Sequence, residues 1–166
     1  MIIVIPAVIA KTNGVTVVPN MTSATAPSGT VTASNFHLSF PPWGAFNSAL
    51  GDTRWLTAQG STTGWLAYEW GGGISRTIVS YAITGHPSVP SLNPKNWTFD
   101  GWTGSAWVAI DTRTNQTAWA NNERRVYSFS NATAYIRYRI NITANDGQAE
   151  YTGISYFEWG VRTLYR

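Results

Sequence analysis

The chain has 166 residues, no cysteine and a formal net charge of +3. This length suits one domain with a substantial core rather than two, and the lack of cysteine excludes a disulfide framework or a thiolate metal site. Only 11% of the residues are charged and the arginines are scattered, which disfavours nucleic acid as a partner, whereas aromatic residues reach 14% with nine tryptophans.

The N-terminal residues are apolar and rich in β-branched side chains, which favours extended structure. We predict that residues 1–25 form an N-terminal extended arm or added strands, and that residues 26–166 form the main domain. An exposed apolar strand either pairs with the edge of its own sheet or inserts into a partner. Both alternatives stay open here, and the second makes Ile2, Ile3, Val4 and Ile5 the assembly residues.

This apolar start is not expected to be an export signal or a membrane anchor. It lacks a basic region, contains Pro6 and is too short to span a bilayer.

Short strand-like segments separated by Gly and Pro turns follow from residue 29 onward. The predicted strands cover residues 29–33, 53–57, 64–70, 74–84, 96–102, 106–111, 123–130, 134–143 and 152–162. No segment has a sustained 3.6-residue apolar period, so no long helix is expected. The pattern predicts an all-β fold, a β-sandwich of the jelly-roll kind.

Two of these strands indicate which side chains form the core. The segment 134–143 alternates, with Ile136, Tyr138, Ile140 and Ile142 on the face predicted to be buried. The segment 74–84 supplies further core candidates, Ile74, Ile78, Tyr81 and Ile83. A change of parity within this second set indicates a bulge or a strand that is covered on both faces.

Several motifs occur in a characteristic order between Gly29 and Gly160. They are Trp43-Gly-Ala-Phe-Asn-Ser-Ala-Leu-Gly-Asp-Thr-Arg-Trp55, Thr63-Gly-Trp-Leu-Ala-Tyr-Glu-Trp70, Ile78-Val-Ser-Tyr-Ala-Ile-Thr84 and Asn93-Pro-Lys-Asn-Trp-Thr-Phe-Asp-Gly101. This order resembles the discoidin-like (coagulation-factor type C) family of galactose-binding-like domains. The resemblance implies a sugar-binding sandwich with Trp55, Trp65, Trp97 and Trp107 in its core.

Many members of that family hold a structural calcium ion through an Asp of the first motif and a Glu of the last strand. Here Asn47 replaces that Asp, and Tyr156 stands where the Glu would be. Calcium prefers six to eight oxygen ligands with several carboxylates among them, and only Asp52 and Glu158 remain nearby. We therefore expect no cofactor, with Asp52 as the candidate ligand if calcium binds.

The titratable residues do not suggest catalysis. The chain has two histidines and eight carboxylates without metal-ligand spacing, so we predict that it is not an enzyme. Asp100 and Asp111 flank the turn Gly101–Ala106, and we interpret them as turn residues rather than as the paired carboxylates of a glycosidase.

Sugar recognition needs an aromatic ring for the apolar face of the pyranose and polar donors for its hydroxyls. Two loops supply this mixture, residues 35–43 and 85–93, and the resemblance places both at one end of the sandwich. The predicted ligand-binding residues are Phe36, His37, Trp43, His86 and Asn93.

The leading hypothesis is a carbohydrate-binding virion protein, such as a bacteriophage capsid-decoration or tail component that adheres to host glycans. Its partners would be a glycan and, through the arm, other virion proteins in an oligomer or larger assembly on the virion surface. A purely structural cement protein without ligand binding is the first alternative. The second is an extracellular accessory module of a secreted glycoside-active enzyme.

Overall fold

The computed structural model describes residues 16–49 and 53–161, which form ten β-strands. The strands are β1 Thr30–Ala33, β2 Trp55–Leu56, β3 Gly64–Glu69, β4 Ile78–Thr84, β5 Pro94–Trp102, β6 Trp107–Arg113, β7 Arg124–Ser128, β8 Arg137–Asn145, β9 Gly153–Ile154 and β10 Tyr156–Val161. Within the described ranges the helical segments are all short 3₁₀ turns, at Pro42–Phe46, Gly71–Gly73 and Pro90–Leu92. The all-β prediction is confirmed, and none of these turns could cross a membrane.

The strands form two main antiparallel sheets and one small one. The larger sheet has the order β1-β3-β8-β5-β6, the second has the order β10-β4-β7, and β2 pairs with β9. Aromatic rings of the two main sheets meet between them: Tyr81 stacks on Phe99 at 4.7 Å between ring centroids, and Tyr138 lies 5.9 Å from Trp159. The molecule is therefore a β-sandwich, as predicted.

The alternation of β8 sets the inner face of the larger sheet. Tyr138, Ile140 and Ile142 are buried, whereas Arg137 and Arg139 lie on the outer face and are partly exposed. In the opposite sheet β4 is buried along its whole length. The pairing of β4 with β10 also shifts register between Gly160 and Val161, which leaves Val79 as an extra residue between Ile78 and Ser80. Both alternatives are thus observed: β4 contains a bulge, which explains its change of parity, and it is buried throughout.

Four expected core residues lie elsewhere. Ile136 is only half-buried, because it precedes the start of β8 at Arg137. Ile74 is half exposed because it follows the Gly71–Gly73 turn, and β4 begins only at Ile78. Trp65 and Trp107 are half-buried rather than in the core. On β3 the neighbouring Leu66 and Tyr68 face inward, so the period-two geometry of a strand turns Trp65 outward.

Asp100 and Asp111 are not turn residues. Asp100 Oδ2 is ion-paired with Arg139 Nε at 2.7 Å, and Asp111 Oδ2 is ion-paired with Arg113 Nε at 2.8 Å. Asp111 also accepts a hydrogen bond of 2.6 Å from the Tyr81 hydroxyl. Both carboxylates thus connect strands, and the turn interpretation was wrong.

Residues 16–25, the described part of the predicted arm, pack on the sandwich. The Val17 N–H donates to the Trp159 carbonyl at 2.9 Å, and the Met21 N–H donates to the Phe46 carbonyl at 3.1 Å. Val18 and Met21 are buried in the common core. Residues 1–15, including the assembly candidates Ile2, Ile3, Val4 and Ile5, lie outside the described residues, so the arm and its boundary near residue 25 stay predictions.

Candidate functional site at the loop end of the sandwich

One end of the sandwich gathers both loops that the sequence analysis selected. The loop 35–43 is anchored on β2, because the His37 N–H donates to the Leu56 carbonyl at 2.9 Å and the Leu56 N–H donates to the Phe40 carbonyl at 3.3 Å. This docking sets the His37 ring 5.4 Å from the Phe40 ring and 5.9 Å from the Tyr151 ring, measured between centroids.

Arg54 joins this loop to the loop 85–93. Its guanidinium carbon lies 4.9 Å from the centroid of the Phe40 ring, and its Nη1 contacts His86 Nε2. The backbone of Arg54 is fixed by the 3₁₀ turn Pro42–Phe46. A Cβ at Gly44 would lie 2.4 Å from the Arg54 carbonyl oxygen, so only glycine allows the turn to approach this closely. We call His37, Phe40, Arg54, His86 and Tyr151 the loop cluster.

The position of His86 depends on the buried side chain of Asn93. The Asn93 Oδ1 accepts a hydrogen bond of 2.8 Å from the His86 N–H. Gly85 leaves room for this amide, since a Cβ there would lie 2.4 Å from Asn93 Nδ2. Asn93 is fully buried. The expectation that Asn93 binds ligand directly is therefore corrected. Because Asn93 is buried, it positions His86 instead.

Hydrogen-bond donors face both nitrogens of the His86 ring. Nδ1 accepts from the Ser88 N–H at 3.2 Å and from the Val89 N–H at 3.0 Å. Nε2 contacts Arg54 Nη1, and a guanidinium nitrogen can only donate. Burial, and then the positive charge of Arg54, lower the pKa of His86 to about 4. At pH 7 the ring is therefore neutral, as expected for an imidazole that faces donors on both sides.

The Arg54 guanidinium thus lies at the centre of the loop cluster, between the Phe40 and His86 rings. A guanidinium carries several N–H donors, and hydrogen bonds from a charged donor are the stronger kind. The arrangement suits a hydroxyl or carboxylate oxygen of a ligand.

Exposed apolar side chains lie on both loops that meet in the loop cluster. Within the described residues, large apolar residues that are clearly exposed are few, and three of them lie on the two loops: Leu38 at 90%, Phe36 at 43% and Val89 at 38%. Apolar groups that stay in water without packing are typical of a binding surface. A ligand for this end therefore has both apolar faces and polar groups.

The structure brings His37 and His86 into one cluster and leaves Phe36 exposed beside it. Trp43 is half-buried and packs against the core, with no ring contact to the cluster among the described residues. Sequence reasoning missed Arg54 and Tyr151. Arg54 adjoins the core residue Trp55, but only the folded loops show that it meets His86.

The described residues do not fit a calcium site. The Asn47 Nδ2 donates to the Met21 carbonyl at 3.0 Å, and its Oδ1 accepts from the Ala49 N–H at 2.9 Å. The Glu158 carboxylate is held by Arg124 at 2.6 Å. No group of three potential metal ligands occurs in residues 16–49 and 53–161. Asp52 lies outside these ranges, so its role as a calcium candidate stays untested.

The carboxylates of the described residues also form no catalytic pair. All of them except Asp146 and Glu150 are ion-paired with arginines. Three of these ion pairs join different strands: Arg124–Glu158, Arg137–Glu69 and Arg139–Asp100.

The sequence matches no known family model and no curated protein. The fold, however, is found in solved structures of galactose-binding-like, discoidin-type sandwiches, which confirms the resemblance at the level of the fold. The neighbours are carbohydrate-binding modules, several of them of family 32.

Three of these structures show how far the similarity extends. The family 32 module of Clostridium perfringens NanJ, solved with galactose, has a TM-score of 0.64 and 19% identity, covering 79% of this chain and 92% of that chain. Chitosan-binding module 1 of a chitosanase/glucanase from Paenibacillus sp. IK-5 has a TM-score of 0.63 and 20% identity, covering 80% and 94%. The family 32 module of Streptococcus pneumoniae EndoD has a TM-score of 0.64 and 14% identity, covering 84% and 100%.

Proposed function

We propose that this protein is a non-enzymatic carbohydrate-binding module whose primary site is the loop cluster. The observation that carries the proposal is the Arg54 guanidinium, a charged donor that lies beside the Phe40 and His86 rings where two loops with exposed apolar side chains meet. Donors of this kind bind sugar oxygens, while Phe36 and Leu38 offer apolar contact to the C–H faces of the ring. The use of the same fold by carbohydrate-binding modules supports this chemistry.

The test is binding of wild type and Arg54→Ala to a glycan array, followed by calorimetry on the best glycan. We expect Arg54→Ala to weaken binding about tenfold or more, because a hydrogen bond from a charged donor contributes about 1.5–3 kcal/mol. Arg76→Ala is the matched control. It removes a positive charge just before the start of β4, whereas His86 of the loop cluster lies just beyond the other end of that strand. Equal affinity of the two variants, or no glycan bound by wild type, would contradict the proposal.

We further propose that the module works as part of a virion, attached through its N-terminal residues. The support comes from the sequence, from the β-branched apolar residues Ile2, Ile3, Val4 and Ile5 and the absence of cysteine. A cryo-EM map of assembled particles tests this setting. Density for the sandwich on the particle, with Ile2 to Ile5 against another subunit, is the expected result. Recovery of the protein only as a free extracellular chain would favour the accessory-module alternative.

A further inference from the structure

A second hollow lies on the outer face of the larger sheet, where β1, β3 and β8 run side by side. It is a shallow depression, open to solvent, of about 420 Å³, a volume within the range of roughly 300–1,000 Å³ typical of small-molecule sites. Side chains and backbone from the three strands line it, among them Ser34, Asn35, Thr63, Trp65, Asn141 and Thr143. We refer to it as the Trp65 groove.

The chemistry of the Trp65 groove is aromatic and polar but uncharged. Every lining residue is neutral. The charged residues of the same face lie towards its other end and are engaged there: Arg139 is ion-paired with Asp100 at 2.7 Å and stacks 4.5 Å from the Trp107 ring. A ligand of the groove therefore needs no charge for recognition.

Several polar groups in the groove are available to a ligand. Within the described residues, the indole N–H of Trp65, the hydroxyl of Thr63 and the side-chain amide of Asn141 make no hydrogen bond to the protein. Asn141 is the cross-strand partner of Trp65, which places the amide beside the indole. A half-buried ring next to a free amide and a free hydroxyl presents one apolar face and a polar rim.

The groove is also held in place. The Ser34 N–H donates to the Trp65 carbonyl at 3.0 Å, and the Trp65 N–H donates to Ser34 Oγ at 3.1 Å. These bonds join β3 to the end of β1, while β8 pairs with β3 on the other side. A rigid platform loses little conformational entropy when a ligand binds.

We infer that the Trp65 groove is a second carbohydrate-binding site, which takes a neutral pyranose ring of an oligosaccharide. The ring stacks on the Trp65 indole, and its hydroxyls contact Asn141 and Thr63. The groove is separate from the loop cluster and does not depend on the donors of that cluster. Asn35, which lines the groove, directly precedes Phe36 of the loop 35–43.

The test follows the indole N–H signals of ¹⁵N-labelled Arg54→Ala, in which the loop cluster is disabled. The Trp65 signal is assigned by its loss in Trp65→Phe. The probes are galactose, GalNAc-β-1,3-galactose, chitotriose and cellotriose. We expect at least one of them to shift the Trp65 signal saturably in the Arg54→Ala background. On a glycan array, Trp65→Ala in that background should reduce the remaining binding about fivefold or more, since an aromatic contact is lost.

Two variants control for folding and for general loss of aromatic surface. Trp65→Phe keeps a flat ring and should retain most of the binding. Trp102→Ala removes a half-buried tryptophan from the same face outside the groove and should leave binding unchanged.

The remaining outcomes show which of the two proposed sites, the loop cluster or the Trp65 groove, is overturned. If wild type responds to glycans only through the loop cluster, or if Arg54→Ala abolishes the Trp65 shift, the second site is overturned while the proposed function stands. If Trp65→Ala abolishes all binding and Arg54→Ala has no effect, the loop cluster is overturned instead. If no probe shifts any signal and the array is blank, both proposals fail.

Discussion

The hydroxyl of Tyr81 links the two sheets through the core. It accepts a hydrogen bond of 2.8 Å from Trp97 Nε1 and donates one of 2.6 Å to Asp111 Oδ2. Burial, with the neighbouring Asp111 carboxylate, raises the pKa of this hydroxyl, so it stays protonated at all ordinary pH values. It therefore acts as a permanent donor and acceptor between β4, β5 and β6.

Removing this hydroxyl should destabilise the fold. Tyr81→Phe leaves the Trp97 N–H and the Asp111 carboxylate without their shared partner, and we expect a loss of about 1–3 kcal/mol in the free energy of unfolding. Urea denaturation measures it. Tyr156→Phe is the control, because the half-buried Tyr156 hydroxyl makes no hydrogen bond to the described residues. Similar losses for both variants would show that the Tyr81 hydroxyl has no special role.

His86 should make the stability of the fold depend on pH. Its pKa is about 4 in the folded protein against 6.5 ordinarily. The His86 imidazole is therefore protonated at a higher pH in the unfolded chain than in the folded protein. Protonation of His86 thus favours the unfolded chain. The contribution of His86 is complete above pH 6.5 and is lost as the pH falls from 6.5 towards 4.

Chemical denaturation at several pH values between 4 and 7, for wild type and His86→Gln, isolates this contribution. Carboxylates titrate in the same window in both proteins, so the difference between the two curves belongs to His86. We expect a shallower fall in stability for His86→Gln. Parallel curves, or an NMR titration that places the pKa of His86 at 6.5 or above, would contradict the structure.

At the scale of elements, the three-stranded sheet is bridged by an ion pair between a buried glutamate and an exposed arginine. Arg124 on β7 and Glu158 on β10 flank the central strand β4. The pair is bidentate, with Nε–Oε2 at 2.6 Å and Nη2–Oε1 at 3.2 Å, and Glu158 is buried. Because removal of one partner leaves the other charge buried without compensation, such a pair matters most when it is broken.

Arg124→Ala should therefore cost about 2 kcal/mol in the free energy of unfolding, a value reduced for the partial exposure of Arg124. Glu69→Ala breaks the more exposed ion pair between Arg137 Nη1 and Glu69 Oε2, which are 3.4 Å apart. It should cost about 0.5 kcal/mol or less in the free energy of unfolding. Urea denaturation of both variants gives the comparison. A larger loss for Glu69→Ala would reverse this ranking of the two pairs.

The Arg124–Glu158 ion pair also affects whether calcium can bind. With Glu158 committed to Arg124 and the Asn47 amide committed to Met21 and Ala49, we expect calcium and EDTA to leave the melting temperature unchanged. A ligand that binds only the folded state raises that temperature by mass action. A calcium-dependent rise would show a site completed by residues outside the described ranges, with Asp52 the first to substitute.

At the scale of the whole molecule, residues 16–25 belong to the core of the sandwich. Val18 and Met21 are fully buried, and the Trp159 N–H donates to Thr16 Oγ1 at 3.0 Å. A β-sandwich held together without cysteines depends on such packing.

Truncation tests the contribution of this segment. A chain that starts at residue 26 should be less stable than one that starts at residue 16 by about 3 kcal/mol or more, because it loses two buried apolar side chains. Thermal and urea unfolding of the two truncated chains measure the difference. Equal stabilities would place the start of the domain at residue 26.

The sequence by itself determined the strands and most of the core. Alternation is a local property, so the residue pattern alone assigns Tyr138, Ile140 and Ile142 to the inner face of β8. The same reasoning could not orient β3, because Trp65, Leu66, Ala67 and Tyr68 are all apolar or aromatic and either parity is plausible. Only the pairing of β3 with β1 and β8 turned Trp65 outward.

The tertiary structure alone decided which polar residues meet. Arg54 and His86 are far apart along the chain, and no local pattern relates them. They are brought together because antiparallel strands return their loops to one end of the sandwich, where a glycine at residue 44 and another at residue 85 allow close packing. The fold is thus encoded in local alternation, and the candidate sites are encoded in contacts between distant loops.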